Sequence, residues 1–113
     1  INTRVLKDIK IDKATTNTEV IPMHSDEYAS VFIIFVKKQV PQHLHAEHTE
    51  VVIVLEGKGE MSLGNHVFNI RKGDQIIIPA MTAHAVITRS KKPLKVLSIQ
   101  SPRFDGKDRI MLE

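Results

Sequence analysis

The chain has 113 residues, with 16 Lys and Arg against 13 Asp and Glu, 42% hydrophobic residues and no cysteine. A chain this short buries roughly two-thirds of its unfolded surface, enough for one modest core, so residues 1–113 are expected to form a single domain. The lack of cysteine excludes disulfides, thiolate nucleophiles, iron–sulfur clusters and Cys-type zinc sites, so that any metal must be held by His, Asp or Glu.

The net charge of +3 is spread thinly, clustering only around Arg89, Lys91, Lys92 and Lys95, and there is no Trp to stack on bases. These features argue against nucleic acid as a partner. Apolar runs such as Val51 to Leu55 fall far short of the ~20 residues needed to span a bilayer, so no membrane partner is expected. The chain begins at Ile1 rather than Met. A preceding piece is therefore expected to be missing, and a cytoplasmic location is the default, with export through a removed signal left open.

In chain order, the alternation Ile9-Lys10-Ile11-Asp12 leans toward a strand. His24, beside Ser25 and Asp26, falls in an expected loop. Short β-branched runs bounded by turn residues then predict strands at Val31 to Val36, Glu50 to Leu55, Glu60 to Leu63, His66 to Ile70, Gln75 to Ile78, His84 to Thr88 and Leu94 to Ile99. Seven short strands without a clear helical signal predict an all-β sandwich or barrel.

Gly64 and Asn65 separate two of these runs in the manner of a tight hairpin, across which Met61, Leu63 and Val67 are expected to pair. Lys72-Gly73-Asp74 is a second turn, and Pro79 should close the strand before it because proline lacks a ladder donor. Val52 to Leu55 and Ile76 to Ile78 are apolar at successive positions, which predicts cover on both faces: a second sheet on one side and a partner subunit as a candidate on the other. A homodimer is therefore expected.

The chemistry concentrates in His43-Leu44-His45-Ala46-Glu47-His48-Thr49-Glu50 and in His84. On an extended segment, residues two apart share a face, so His43 and His45 present both imidazoles to one point. Glu50 can add an anionic oxygen there, and His84 would have to arrive from another strand. Imidazoles with a carboxylate favour one divalent transition metal (Fe, Mn, Co, Ni, Cu or Zn) over Mg or Ca. The plainer reading of a lone His-x-His pair is two surface imidazoles flanking a buried leucine. His48 is out of phase with His45 and is expected at the surface or behind the ligands, as is Glu47. His24 and His66 are expected in solvent. Met81, three residues before His84, is expected to line the pocket.

The segment from His43 to Gly57 reads His-x-His, four residues, Glu, six residues, Gly, and that from Gly73 to His84 reads Gly, five residues, Pro, four residues, His. These resemble the two conserved motifs of the cupin superfamily, and the 15 residues between them match the short spacing of its small microbial members. The resemblance implies a double-stranded β-helix, a jelly-roll barrel with a metal in its mouth. It implies His43, His45, Glu50 and His84 as the metal ligands, and Gly57 and Gly73 as turn glycines. Two positions depart from the pattern: Met81 stands where the second motif has Gly, and Thr88 where it often ends in Asn.

A four-ligand site on a six-coordinate ion leaves two positions for a small oxygen-bearing ligand. Glu50 is the ligand able to exchange between metal and proton, and so is the candidate catalytic residue. The sequence carries no nucleophile elbow, phosphate-binding loop or dinucleotide fingerprint. The expected function is a metal-dependent dioxygenase, isomerase or decarboxylase; the alternatives are a non-catalytic metal or small-ligand binding module and a structural domain.

Overall fold

The computed structural model describes residues 5–112. After a single 3-10 turn at Leu6–Asp8, ten strands follow: β1 Thr18–Ser25, β2 Ser30–Val36, β3 Gln39–His45, β4 Thr49–Glu56, β5 Lys58–Leu63, β6 His66–Arg71, β7 Gln75–Ile78, β8 His84–Thr88, β9 Leu94–Ser101 and β10 Arg109–Met111. They form two five-stranded antiparallel sheets, β1-β2-β9-β4-β7 and β10-β3-β8-β5-β6. All seven predicted strands are present within two residues of their expected ends.

Alternation fixes what each strand buries. Along β4, Glu50, Val52 and Val54 point inward, and along β9 Leu94, Val96, Ser98 and Gln100 do so. With Val36, Met61, Ile70, Ile76 and Ile78, the aliphatic members of this set form the core between the sheets. Fully burying such a side chain contributes roughly 1.5–3 kcal/mol, and this core therefore dominates the stability of the barrel.

The outer face of the first sheet is also apolar, and its cover comes from within the chain. Ile33 and Phe35 pack with Ile9, flanked by Leu6, Ile11, Leu55 and Leu97. The N-terminal segment thus covers the part of this face around β2 and Leu55, while Ile77 on β7 stays 53% exposed. The strand expected at Ile9 to Asp12 is not formed. These residues follow the 3-10 turn as irregular chain, because Ile9 is held by burial against β2 rather than by a ladder.

Other expectations need adjustment. His24 lies in β1 rather than a loop, its Nε2 2.8 Å from Asp26 Oδ2. In the β5–β6 hairpin Leu63 faces His66, and Val67 faces Ser62 rather than Met61 or Leu63, as a two-residue loop requires. Only Gly64 of that loop has positive φ (57°), which suits the first central position of a type II′ turn. Gly57 also has positive φ (86°), and a Cβ there would meet Pro93 O at 2.9 Å. Any side chain would collide with that backbone as well as strain its own.

Met81 is the non-glycine residue with positive φ (65°) among the described residues. It is the third residue of a turn closed by the Thr82 N–H donating to Pro79 O (3.3 Å), and its own N–H donates to His45 O (2.7 Å). The left-handed turn is made here without glycine, and methionine bears the strain. A left-handed non-glycine residue costs about 1–2 kcal/mol, against roughly 0.4–1 kcal/mol for the extra freedom of glycine in the unfolded chain. Met81→Gly should therefore raise stability by about 0.5 kcal/mol, a rise of a few degrees in thermal midpoint. A fall in midpoint would contradict the turn-strain assignment. Met81 is 62% exposed and does not line the pocket, contrary to expectation, because the left-handed turn carries its side chain outward.

Candidate metal centre

His43 and His45 lie on β3 and His84 directly opposite His43 on β8. Val40 and His43 both reach the cavity despite their odd separation, because the β3–β8 register shifts between them. A bulge of this kind re-aims a side chain. Glu50 comes from β4 in the facing sheet. All four are at most 7% exposed.

The three histidines offer nitrogens within 4.8 Å of one another. Glu50 Oε1 lies 3.6 Å from His45 Nε2 and 3.7 Å from His84 Nε2. These separations are too long for hydrogen bonds. They suit atoms that share an ion through bonds of about 2.1 Å, whose mutual distances run from about 3.0 to 4.2 Å. His43 Nδ1 is 2.8 Å from Pro41 O and His84 Nδ1 is 2.9 Å from Thr82 O. Each Nδ1–H is thereby committed to a carbonyl and each Nε2 lone pair is left facing the cavity. The residues present therefore fit a divalent ion.

The carboxylate is held from behind. Ser98 Oγ donates to Glu50 Oε2 (2.6 Å), and Gln100 Nε2 donates to Ser98 Oγ (3.0 Å). Neither residue was singled out in the sequence. Their signal is faint but physical: two polar side chains at alternate positions on the face of β9 that also carries Leu94 and Val96.

Electrostatics keep the imidazoles neutral. Burial pushes His43 down to about 4, outweighing the Pro41 carbonyl, which favours the proton. Burial, aided by His48, His43 and His84, pushes His45 down to about 3. His84 is also lowered, by burial first, against the opposing Thr82 carbonyl and Glu50. Unfolded histidines titrate near 6.5, so between that value and about 4 the unfolded chain binds more protons than the folded one. Stability of the metal-free protein should be full above about pH 6.5 and fall as pH drops toward 4. Thermal midpoints measured across that range test this; a flat profile would contradict it.

Above the histidines the barrel encloses a cavity of about 480 Å³. Its walls are mainly apolar, including Phe32, Ile34, Val52 and Val86, while Asn17, Gln39 and Arg109 add polar groups. Arg109 faces His45 across the β10–β3 pair and disfavours protonation of His43 and His84.

His48 is 1% exposed, which excludes the surface alternative and leaves the place behind the ligands. Its Nδ1 lies 2.7 Å from Asp108 Oδ2, and its ring lies 4.1 Å from that of His45. Phe104 packs against both rings. Asp108 and Phe104 carried no sequence signal. His66 is exposed, as expected.

Two histidine-bearing strands facing a carboxylate across a small jelly roll define a cupin-type β-barrel, and the cupin-domain profile matches residues 30–100. The chain belongs to the cupin superfamily. An uncharacterized protein of Aquifex aeolicus is 38% identical over 96 residues, covering 84% of this chain and 78% of its own. Among solved structures, an uncharacterized Klebsiella pneumoniae protein with a double-stranded β-helix domain superposes with TM-score 0.78 at 16% identity, covering 99% of both chains. The nucleoside dehydratase Pac13 of Streptomyces superposes with TM-score 0.71 at 16% identity, covering 84% of this chain and 86% of its own.

Proposed function

We propose that this protein binds one divalent transition metal, drawn from Fe, Mn, Co, Ni, Cu and Zn, through His43, His45, Glu50 and His84. In this reading it acts on a small oxygen-bearing molecule held in the cavity. The observation that carries it is three buried imidazoles whose nitrogens lie within 4.8 Å of one another, with the serine-anchored carboxylate of Glu50 3.6 and 3.7 Å from two of them. Four buried groups of this chemistry cost stability unless something shared satisfies them.

A bound ion would supply Lewis acidity toward ligand oxygens, or electrons to dioxygen if it were iron. The chain's own residues do the rest. The apolar walls exclude water and hold an apolar body, while Arg109 at the rim attracts anionic oxygens toward the histidines. Ser98 holds Oε2 of Glu50 and leaves Oε1 toward the histidines, where it would hold the ion or, released from it, take a proton from a ligand. The Pac13 likeness supports catalysis on this fold without indicating a substrate for this chain. The small-molecule reading extends to dioxygenase, isomerase or decarboxylase chemistry, with a non-catalytic binding module as the alternative outcome.

The test is elemental analysis of protein purified without chelators or a polyhistidine tag, with His45→Ala in parallel. About one ion per chain in the wild type and none in the variant is expected. No metal in either, even after incubation with Zn²⁺, Fe²⁺ or Mn²⁺, would refute the site.

A further inference from the structure

An imidazole that gives its Nε2 lone pair to a metal keeps a proton on Nδ1, and that proton needs an acceptor. His43 and His84 find carbonyl oxygens two residues back in the chain. His45 does not: its Nδ1 is buried without a hydrogen-bond partner. Beside it, His48 Nε2 is also buried and unpartnered. Asp108 Oδ2, 2.7 Å from His48 Nδ1, can only accept there. The proton of His48 is thus placed on Nδ1 and a lone pair on Nε2. A donor lacking an acceptor and an acceptor lacking a donor lie on rings 4.1 Å apart and tilted by 36°.

We infer that Asp108, His48 and His45 form a hydrogen-bond relay that ends on the metal, with His48 and Asp108 as positioning residues that orient His45 once the two stacked rings part to roughly 5 Å and turn edge to edge, so that the two unpartnered nitrogens meet. The inference rests on the metal reading above.

The relay has a consequence for the C-terminal segment. Asp108 precedes β10, its carbonyl accepts from Ala46 N (2.8 Å), and its Oδ2 also accepts from Glu47 N (3.0 Å). Phe104, whose N–H donates to Ser30 Oγ (3.1 Å), leans on both rings. This segment is therefore bonded through the relay to a metal ligand. Linkage then requires reciprocity: if the closed segment favours metal, metal must favour the closed segment.

The experiment measures Zn²⁺ affinity by competition with a chromophoric chelator, and amide hydrogen exchange over residues 104–111 with and without Zn²⁺. His48→Phe keeps the ring packing and removes both nitrogens; affinity should fall about 10–100-fold, the usual effect of losing a group behind a ligand. His48→Gln keeps an acceptor near the Nε2 position and should recover part of that loss. Asp108→Asn should weaken binding with the fold intact, and serves if His48→Phe does not fold. In the wild type, Zn²⁺ should slow exchange in residues 104–111, and this protection should shrink in His48→Phe.

Wild-type affinity in folded His48→Phe and Asp108→Asn would overturn the relay while leaving the metal site standing. Two ions per wild-type chain, the second lost in His48→Phe, would also overturn it, assigning the unpartnered atoms to a cation of their own. A wild type that takes no ion would remove the metal site, and the relay with it.

Discussion

His84→Ala is expected to abolish tight divalent-metal binding while leaving a folded barrel. His84 is the ligand candidate that sequence places farthest from the others, and β8 sets it opposite His43, with ring centroids 4.2 Å apart. Without it, two imidazoles remain on one strand with a carboxylate across the cavity. The affinity loss should exceed about 100-fold, the upper end of what removal of a group behind a ligand produces.

The cost to the apo fold should be small by comparison. The deleted ring is neutral at pH 7 because burial lowers its proton affinity, it borders the cavity, and only its bond to Thr82 O is lost. The readout is thermal. At a metal concentration 100 times Kd, the wild type gains about 2.7 kcal/mol, roughly 10–20 °C for a domain of this size. The variant should show almost none of that shift, and His66→Ala, exposed at the start of β6, should show all of it. A full metal-dependent shift in His84→Ala would remove His84 from the site.

What could be read from the sequence followed the range of the interaction concerned. Val31 to Val36 and Leu94 to Ile99 declare themselves as strands because β-branched and aromatic side chains favour a pleated, half-buried surface. Strand β1 went unread because Pro22 and His24 interrupt its alternation, and its burial depends on pairing with β2. Strand β10 is three residues long and is defined only by its pairing with β3.

The candidate site divides in the same way. His43, His45 and Glu50 lie within eight residues, so strand periodicity alone brings the two histidines together. The groups that hold them could not be read so. Ser98 reaches Glu50 across 48 residues and Asp108 reaches His48 across 60, distances over which only the closed barrel determines proximity. On the doubly apolar strands Leu55 is covered on the outer face while Ile77 is 53% exposed, and local pattern carries no information about whether a cover belongs to the same chain. Here Ile9 and Leu6 supply the part around β2 and Leu55.

That cover depends on one buried cation, and Lys95→Met should be strongly destabilising. Lys95 points outward from β9 yet is 1% exposed, because the N-terminal segment lies over it. Its Nζ donates to Leu6 O (2.6 Å) and Ile9 O (2.8 Å), lies 3.4 Å from Glu56 Oε2, and sits 5.6 Å from the centre of the Phe35 ring. Three ammonium protons are thus matched by three oxygens. Ile9 follows the 3-10 turn, and its carbonyl has Lys95 as its hydrogen-bond partner among the described residues, whereas Leu6 O also accepts from the Ile9 N–H (3.3 Å).

Exchanging a buried ion pair for a hydrophobe can be neutral, but here the principal partners are backbone carbonyls that methionine cannot satisfy. The Ile9 carbonyl is orphaned while Leu6 O keeps the Ile9 N–H, so the loss should be about 1–3 kcal/mol and the midpoint should fall by roughly 5–10 °C. Detachment of the segment would also uncover Ile9, Ile33 and Phe35, so proteolytic cleavage near Ile9 should accelerate in step. Glu56 keeps Lys92, 3.8 Å away, and so contributes little to the loss. Zn²⁺ affinity should be unchanged, because Lys95 and Glu50 project from opposite faces of the same sheet. A midpoint within about 2 °C of wild type would show that the N-terminal segment is held by apolar contact alone.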